Sequence, residues 1–222
     1  MFDRPQPFAD RHEAGVVLAA ELDAFKGRDD LVVLALPRGG VPVAFEIAMA
    51  LGAPLDVFVV RKLGVPGHAE LAMGAIASGG IRVLNEDVVA WYGLLPAAIE
   101  EVARAEQIEL ERREREYRNE QPLVDLTGKT VVLVDDGLAT GSTMKAAVQA
   151  VRAKDPARIV VGVPVGARDT CRALVTSADE VVCARMPEPF SAVGLWYRDF
   201  SQTTDAEVRE LLEQSRAAGR RS

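Results

Sequence analysis

Short runs of β-branched and aliphatic residues recur along this chain at Leu31–Leu36, Leu55–Val60, Thr130–Asp135, Arg158–Val163 and Glu180–Cys183. Each is nearly continuous rather than alternating, the pattern of a strand covered on both faces. Segments of helical period separate them. Ala14, Leu18, Leu22 and Phe25 share one face, a second helix spans about 43–51 and stops at Gly52, and others are expected near 142–154 and 170–177. This rhythm predicts an α/β fold: a five-stranded parallel sheet with helices on both faces, because βαβ crossovers are right-handed. In such a sheet ligands collect beyond the carboxyl ends of the strands.

With 222 residues, 49% hydrophobic and 27% charged, the sequence reads as a single globular domain, 1–222, and not as a disordered, collagenous or coiled-coil chain. Its 33 acids against 26 lysines and arginines give a net charge of −7, which disfavours nucleic acid as a partner. Two cysteines, Cys171 and Cys183, cannot build a disulfide framework in a chain this long, so each is expected to be a buried thiol in a reducing compartment. The N-terminal MFDRPQPFADR is charged where a secretory signal is apolar, and no apolar run reaches the roughly 18 residues of a membrane span. These features predict a cytoplasmic protein with no membrane partner.

Two stretches break the alternation. Residues 61–80, rich in Gly and Pro, show no sustained period before a weak alternating pair around 72–84, which predicts a flexible loop followed by a hairpin over 61–84. Residues 96–118 carry seven acids and five arginines at helical spacings, expected to form a long helix with a solvated, charge-paired face.

The segment Val131-Val-Leu-Val-Asp135-Asp136-Gly137-Leu138-Ala139-Thr140-Gly141-Ser142-Thr143 carries the most chemistry. A buried strand turns there into a helix, so the N–H groups of Leu138, Ala139, Thr140, Gly141, Ser142 and Thr143 are expected to point outward and cradle a phosphate monoester. The hydroxyls of Thr140, Ser142 and Thr143 add donors or cap the helix. Two carboxylates beside a phosphate site would repel it unless something lies between. A ribose cis-diol fits, because carboxylates accept from two neighbouring hydroxyls. Together these residues spell ribose 5-phosphate. A P-loop is excluded, since Gly141 is followed by Ser142 and not by Lys.

VVLVDDGLATGST resembles the phosphoribosyl-pyrophosphate signature of type I phosphoribosyltransferases, and the strand order extends the resemblance over roughly 30–200. It implies that Asp135 and Asp136 hold the ribose hydroxyls and that the following loop holds the 5-phosphate. Pro37-Arg38-Gly39-Gly40, at the end of the first core strand, is similar to the family's pyrophosphate loop, with the Pro37–Arg38 bond matching its non-proline cis peptide. Arg61-Lys62-Leu63-Gly64-Val65-Pro66-Gly67 resembles the start of the flexible catalytic loop in adenine phosphoribosyltransferases; His68 and Glu70 follow as proton-transfer candidates. An aromatic segment within a hood at 185–204 includes Phe190, Trp196, Tyr197 and Phe200. By resemblance to purine-salvage members, Phe190 stacks on the base beside Ser191, with Trp196 and Tyr197 as rival stacking partners.

The resemblance thus implies an enzyme moving 5-phosphoribosyl between pyrophosphate and a nitrogenous acceptor, foremost a nucleobase, with Arg38, Lys62, Asp135 and Asp136 as its catalytic set. Mg²⁺ is the implied cofactor, with Asp135 and Asp199 as its candidate ligands, and a homo-oligomer, such as a dimer, is the implied assembly. The alternative is a non-catalytic sensor of phosphoribosyl pyrophosphate regulating nucleotide metabolism. Its DNA-binding form is disfavoured, because about 30 residues before the first strand are too few for a separate winged helix.

Overall fold

The computed structural model describes residues 6–118 and 121–219. Its main sheet contains β1 (Leu31–Ala35), β2 (Leu55–Val57), β6 (Thr130–Val134), β7 (Arg158–Val165) and β8 (Glu180–Arg185), all parallel, in the order β2-β1-β6-β7-β8. β1 and β6 are in direct register from Leu31 opposite Thr130 to Ala35 opposite Val134, and every residue of both strands is buried. From β1 the chain winds one way to β2; from β6 it winds the other way to β7 and β8. The reversal makes the crevice beyond the ends of β1 and β6 the topological switch point.

Helices cover both faces, as the apolar runs require. α1 (Arg11–Glu21), α2 (Gly40–Leu51) and α7 (Asp205–Gly219) pack on one apolar cluster with Val33, Val132 and Val160, while α5 (Ser142–Arg152) and α6 (Arg168–Leu174) pack on another with Leu34, Leu133 and Val161. α2 ends where Gly52, at φ +70, takes the left-handed conformation that only glycine adopts cheaply. Cys171 is buried and Cys183 half-buried, both as free thiols.

The 61–84 segment departs from expectation. Instead of a loop before a hairpin, the strands β3 (Val60–Val65), β4 (His68–Ala77) and β5 (Ile81–Leu84) form a three-stranded antiparallel sheet. Pairing therefore starts at Val60, and the run expected as one strand to Val60 splits after Val57. Burial does alternate along β3, with Lys62 exposed and Leu63 and Val65 buried on one face, but residue type does not: Arg61, half-buried against Glu106, and Gly64 interrupt the alternating apolar pattern. α3 (Glu86–Trp91) follows, capped by the Asn85 side chain, and then α4 (Pro96–Arg118).

The solvated reading of α4 holds for only part of it. Arg112 and Arg113 pair with Glu109 on the exposed face. Arg118, by contrast, is 3% exposed. Its Nε donates to Asp56 at 3.0 Å, and its other nitrogens reach Glu114, Ser78 and the Val57 carbonyl. Buried charges must be paired in this way, and the pairing ties α4 to the edge strand β2.

Candidate functional site

Two turns meet at the switch point. At the end of β1 the Pro37–Arg38 peptide is cis, and the Gly40 N–H donates back to the Leu36 carbonyl at 3.1 Å. Gly39 and Gly40 then start α2 against the end of β6. A Cβ on Gly40 would lie 2.7 Å from the Val134 carbonyl oxygen, and one on Gly39 would lie 2.1 Å from Oδ2 of Asp136. Both glycines are thus required by the close approach of the two turns. Pro37-Arg38-Gly39-Gly40 and the paired acids, distant in sequence, face one another.

Asp135 and Asp136 are both half-buried at the end of β6. Asp135 Oδ1 accepts the Asp136 N–H at 2.9 Å. Burial raises the Asp135 carboxyl well above the usual carboxylate range, and the neighbouring charge of Asp136 adds to the rise. Burial also raises Asp136, against the opposing pull of the Arg11 guanidinium. Arg11 Nε and Nη2 both lie 2.8 Å from Asp136 Oδ2. The Tyr197 hydroxyl donates to the Asp136 main-chain carbonyl at 2.6 Å.

Beyond the acids, Leu138 bridges to Gly166 on the β7 side, its N–H donating to Val165 and its carbonyl accepting from Ala167, each at 2.9 Å. Gly141, at φ +69, turns the chain into α5. Thr170 Oγ1 donates to the Ala139 carbonyl at 2.7 Å, which steadies the loop from α6. Among the described residues, the N–H groups of Ala139, Thr140, Gly141, Ser142 and Thr143 donate to no protein acceptor. Thr140 and Ser142 hydroxyls lie 3.2 Å apart and exposed. Five unpartnered donors thus gather at a helix start next to two acids, an arrangement of backbone N–H groups that can accept an anion.

Other predicted residues are less free. Arg38 lies 3.6 Å from Asp205 on α7, whose carboxylate also accepts from the Tyr117 hydroxyl at 2.6 Å. Arg61 is held by Glu106 of α4, Nε to Oε2 at 2.6 Å, whereas Lys62 beside it is exposed. Gly64 sits at the irregularity of the β3–β4 ladder, and Gly67, at φ +80, makes its turn. His68 and Glu70 are exposed on β4, the His68 ring 5.7 Å from that of Tyr92.

The aromatic segment is only partly a free platform. Phe190 and Trp196 are half-buried against a small cluster of Phe8, Ala14, Val165 and Tyr197, while Ser191 is exposed. Tyr197 is 5% exposed and committed to Asp136, which removes it as a stacking partner.

For Mg²⁺, the described residues include no group of three or more His, Cys, Asp or Glu side chains able to hold a metal ion. Asp199 is exposed, with Oδ1 accepting from the Ser201 N–H at 2.9 Å. A donor set of one or two carboxylates fits an ion that arrives with substrate phosphates, the usual manner for Mg²⁺.

Sequence reasoning missed Arg11, Ser201 and Asp205. Arg11 had a signal: it shares the helical face of Ala14, Leu18 and Leu22, where a charge is out of place unless it has a buried partner.

A family model described as the phosphoribosyl transferase domain matches residues 13–194. A Mycobacterium tuberculosis (strain H37Rv) protein, provisionally named a phosphoribosyl transferase, is 51% identical over 208 residues, covering 94% of this chain and 47% of that protein. The chain thus spans about half the length of the first curated relatives it matches. A Chloroflexus aurantiacus relative, named bifunctional protein PyrR, is 31% identical over 164 residues, covering 68% of this chain and 84% of that protein. The crystal structure of a Thermus thermophilus protein superposes with a TM-score of 0.85 at 42% identity, covering 94% of this chain and 99% of the other.

Proposed function

Since this chain belongs to the phosphoribosyl transferase domain family, we propose that it moves a 5-phosphoribosyl group between pyrophosphate and a nitrogenous acceptor, foremost a nucleobase. One observation carries the reading: a carboxylate pair sits between an unpartnered N–H cradle and a glycine turn pressed against Asp136. Phosphoribosyl pyrophosphate matches that order of groups, because its ribose diol lies between a 5-phosphate and a pyrophosphate.

In this reading the 5-phosphate takes the N–H groups of Ala139 to Thr143 and the hydroxyls of Thr140, Ser142 and Thr143. Asp135 and Asp136 accept from the ribose diol and fix the ring. Arg38 and Lys62 face the pyrophosphate. The C1–O bond loosens before the acceptor closes in, so positive charge develops at C1 and the leaving pyrophosphate keeps the electron pair. The acceptor nitrogen then supplies the pair for the new C1–N bond and releases its proton. No protein nucleophile is needed. Mg²⁺, held through Asp135 together with the substrate's own oxygens, would supply charge neutralisation on the pyrophosphate. The β3–β4 hairpin, with exposed Lys62 and the Gly67 turn, serves as the lid that excludes water. Phe190, half-buried and beside exposed Ser191, is the stacking surface for the acceptor.

The test is incubation with Mg²⁺, phosphoribosyl pyrophosphate and a panel of purines, pyrimidines and related amines, with pyrophosphate release as the readout. Turnover with any acceptor supports the transferase. Tight binding of phosphoribosyl pyrophosphate with no turnover across the panel points to the sensor, and no binding rejects both.

A further inference from the structure

Arg11 lies outside the span matched by the family model, as do Phe200 and Ser201, yet the three converge on the ribose acids. Every face of the Arg11 guanidinium is committed. Nε and Nη2 contact one carboxylate oxygen, Oδ2 of Asp136, at 2.8 Å each, Nη1 donates to the Ser201 carbonyl at 2.7 Å, and Cζ lies over the Phe200 ring, 4.1 Å from its centroid. With a relative exposure of 9%, it is not a solvated surface charge. Gly39 lies against the same oxygen, where a Cβ would come within 2.1 Å of it. The Tyr197 hydroxyl holds the main-chain carbonyl of the same residue. Oδ1, by contrast, accepts no hydrogen bond from the described residues.

We propose that Arg11 is a positioning residue for substrate: by anchoring Oδ2 of Asp136 it fixes the carboxylate plane and leaves Oδ1 as the acceptor for a ribose hydroxyl. The inference rests on the ribose-binding reading above. It divides the work of one carboxylate between its two oxygens, and it gives the aromatic segment a second task, since Phe200 and Tyr197 wall in the guanidinium that holds the acid. An unanchored Asp136 would rotate about χ2 and meet the diol in one of many orientations, so the lost quantity is substrate affinity rather than chemistry. Lysine in place of Arg11 keeps the charge but lacks the fork that reaches Asp136 and Ser201 together.

Calorimetric titration of the protein with phosphoribosyl pyrophosphate in Mg²⁺ tests this in wild type, Arg11→Gln, Arg11→Lys, Asp136→Asn and the Arg11→Gln/Asp136→Asn double variant. Arg11→Gln is expected to weaken binding about 10- to 100-fold, the loss typical of charge-assisted hydrogen bonds, with Arg11→Lys between it and wild type. The double variant is expected to bind within about twofold of Asp136→Asn alone, because Arg11 acts through that acid. Binding by Arg11→Gln within about twofold of wild type overturns the proposal. So does a double variant weakened by the product of the single effects, which is what a mere fastener of the two chain ends would give. Should Arg11→Gln fail to fold, the proposal stands or falls on whether Arg11→Lys weakens binding. Absence of binding by the wild type overturns the ribose-site reading and this inference with it, whereas normal wild-type binding with an unaffected variant overturns the inference alone.

Discussion

Replacing Gly39 by alanine isolates the contact between the turn Pro37–Gly40 and Asp136, the acid proposed to hold ribose. The backbone permits it: Gly39 has φ −59 and ψ −32, an ordinary right-handed conformation. On that ground alone the change would add about 0.4 to 1 kcal/mol by restricting the unfolded chain. The side chain is the obstacle. Its Cβ would lie 2.1 Å from Asp136 Oδ2, 2.7 Å from Cγ and 3.3 Å from Arg11 Nε, so the carboxylate must move by more than an ångström and release Arg11. Charge-assisted hydrogen bonds contribute about 1.5 to 3 kcal/mol. Losing the paired contact at one oxygen, less the backbone gain, leaves a net cost of about 2 kcal/mol. For a chain of this size that lowers the thermal midpoint by about 4 to 8 °C. Gly52→Ala is the control: at φ +70 with nothing within 4 Å of its Cβ, it suffers only left-handed strain of about 1 to 2 kcal/mol, far from the site. Differential scanning fluorimetry and calorimetric titration with phosphoribosyl pyrophosphate separate the two. Gly39→Ala should lose both stability and more than about tenfold in affinity, Gly52→Ala stability alone. A Gly39→Ala protein with unchanged midpoint and affinity would refute the apposition of the two turns.

Burial raises the carboxyls of both Asp135 and Asp136, so charging them costs folding free energy at neutral pH. As the pH falls through their raised values, above the ordinary carboxylate range near about 4, that cost disappears and the pair's contribution to ligand-free stability improves, while affinity for phosphoribosyl pyrophosphate drops because a protonated carboxyl loses the charge that strengthens its hydrogen bonds to the diol. Asp135→Asn/Asp136→Asn should abolish the stability trend, and an affinity unchanged in wild type from about pH 7 to about pH 4 would contradict it. Arg118→Ala should destabilise by about 3 to 5 kcal/mol, because it leaves Asp56, 8% exposed, without its cation; a midpoint shift below about 2 °C in thermal unfolding would show the pair to be dispensable. Phe190→Ala should raise the acceptor KM by about 5- to 100-fold, the range of aromatic stacking, and leave that for phosphoribosyl pyrophosphate in place. Steady-state kinetics that move both KM values together, or neither, would return Phe190 to the Phe8–Tyr197 cluster.

The parallel strands were legible because the central ones, β1, β6 and β7, are buried on both faces and therefore written as nearly unbroken apolar runs, Val131 to Val134 being the clearest, while the half-buried edge strand β8 keeps only the short run Val181-Val182-Cys183. The turn from β6 into α5 was legible for the same local reason: strand, acids, glycine and hydroxyls lie within 13 consecutive residues. What failed was non-local or irregular. β3 was hidden because adjacent charges, Arg61 and Lys62, interrupt its apolar pattern, and the partner that lets Arg61 lie half-buried, Glu106, is 45 residues away. Arg118 and Arg61 read as solvated or free cations because Asp56 and Glu106, which hold them, are 62 and 45 residues away. Tyr197 looked like an open ring because nothing local shows its hydroxyl reaching Asp136, 61 residues back. Arg11 was the recoverable miss, a charge on an apolar helical face.

Isothermal titration of wild type and Asp135→Asn/Asp136→Asn with phosphoribosyl pyrophosphate in Mg²⁺ probes the ribose-binding pair most directly. Wild type should bind, and the double variant, with its circular dichroism and thermal transition showing an intact fold, should bind more than about 100-fold more weakly, since the diol loses its charged acceptors. Affinity of the double variant within about twofold of wild type would remove Asp135 and Asp136 from the site and the ribose reading with them.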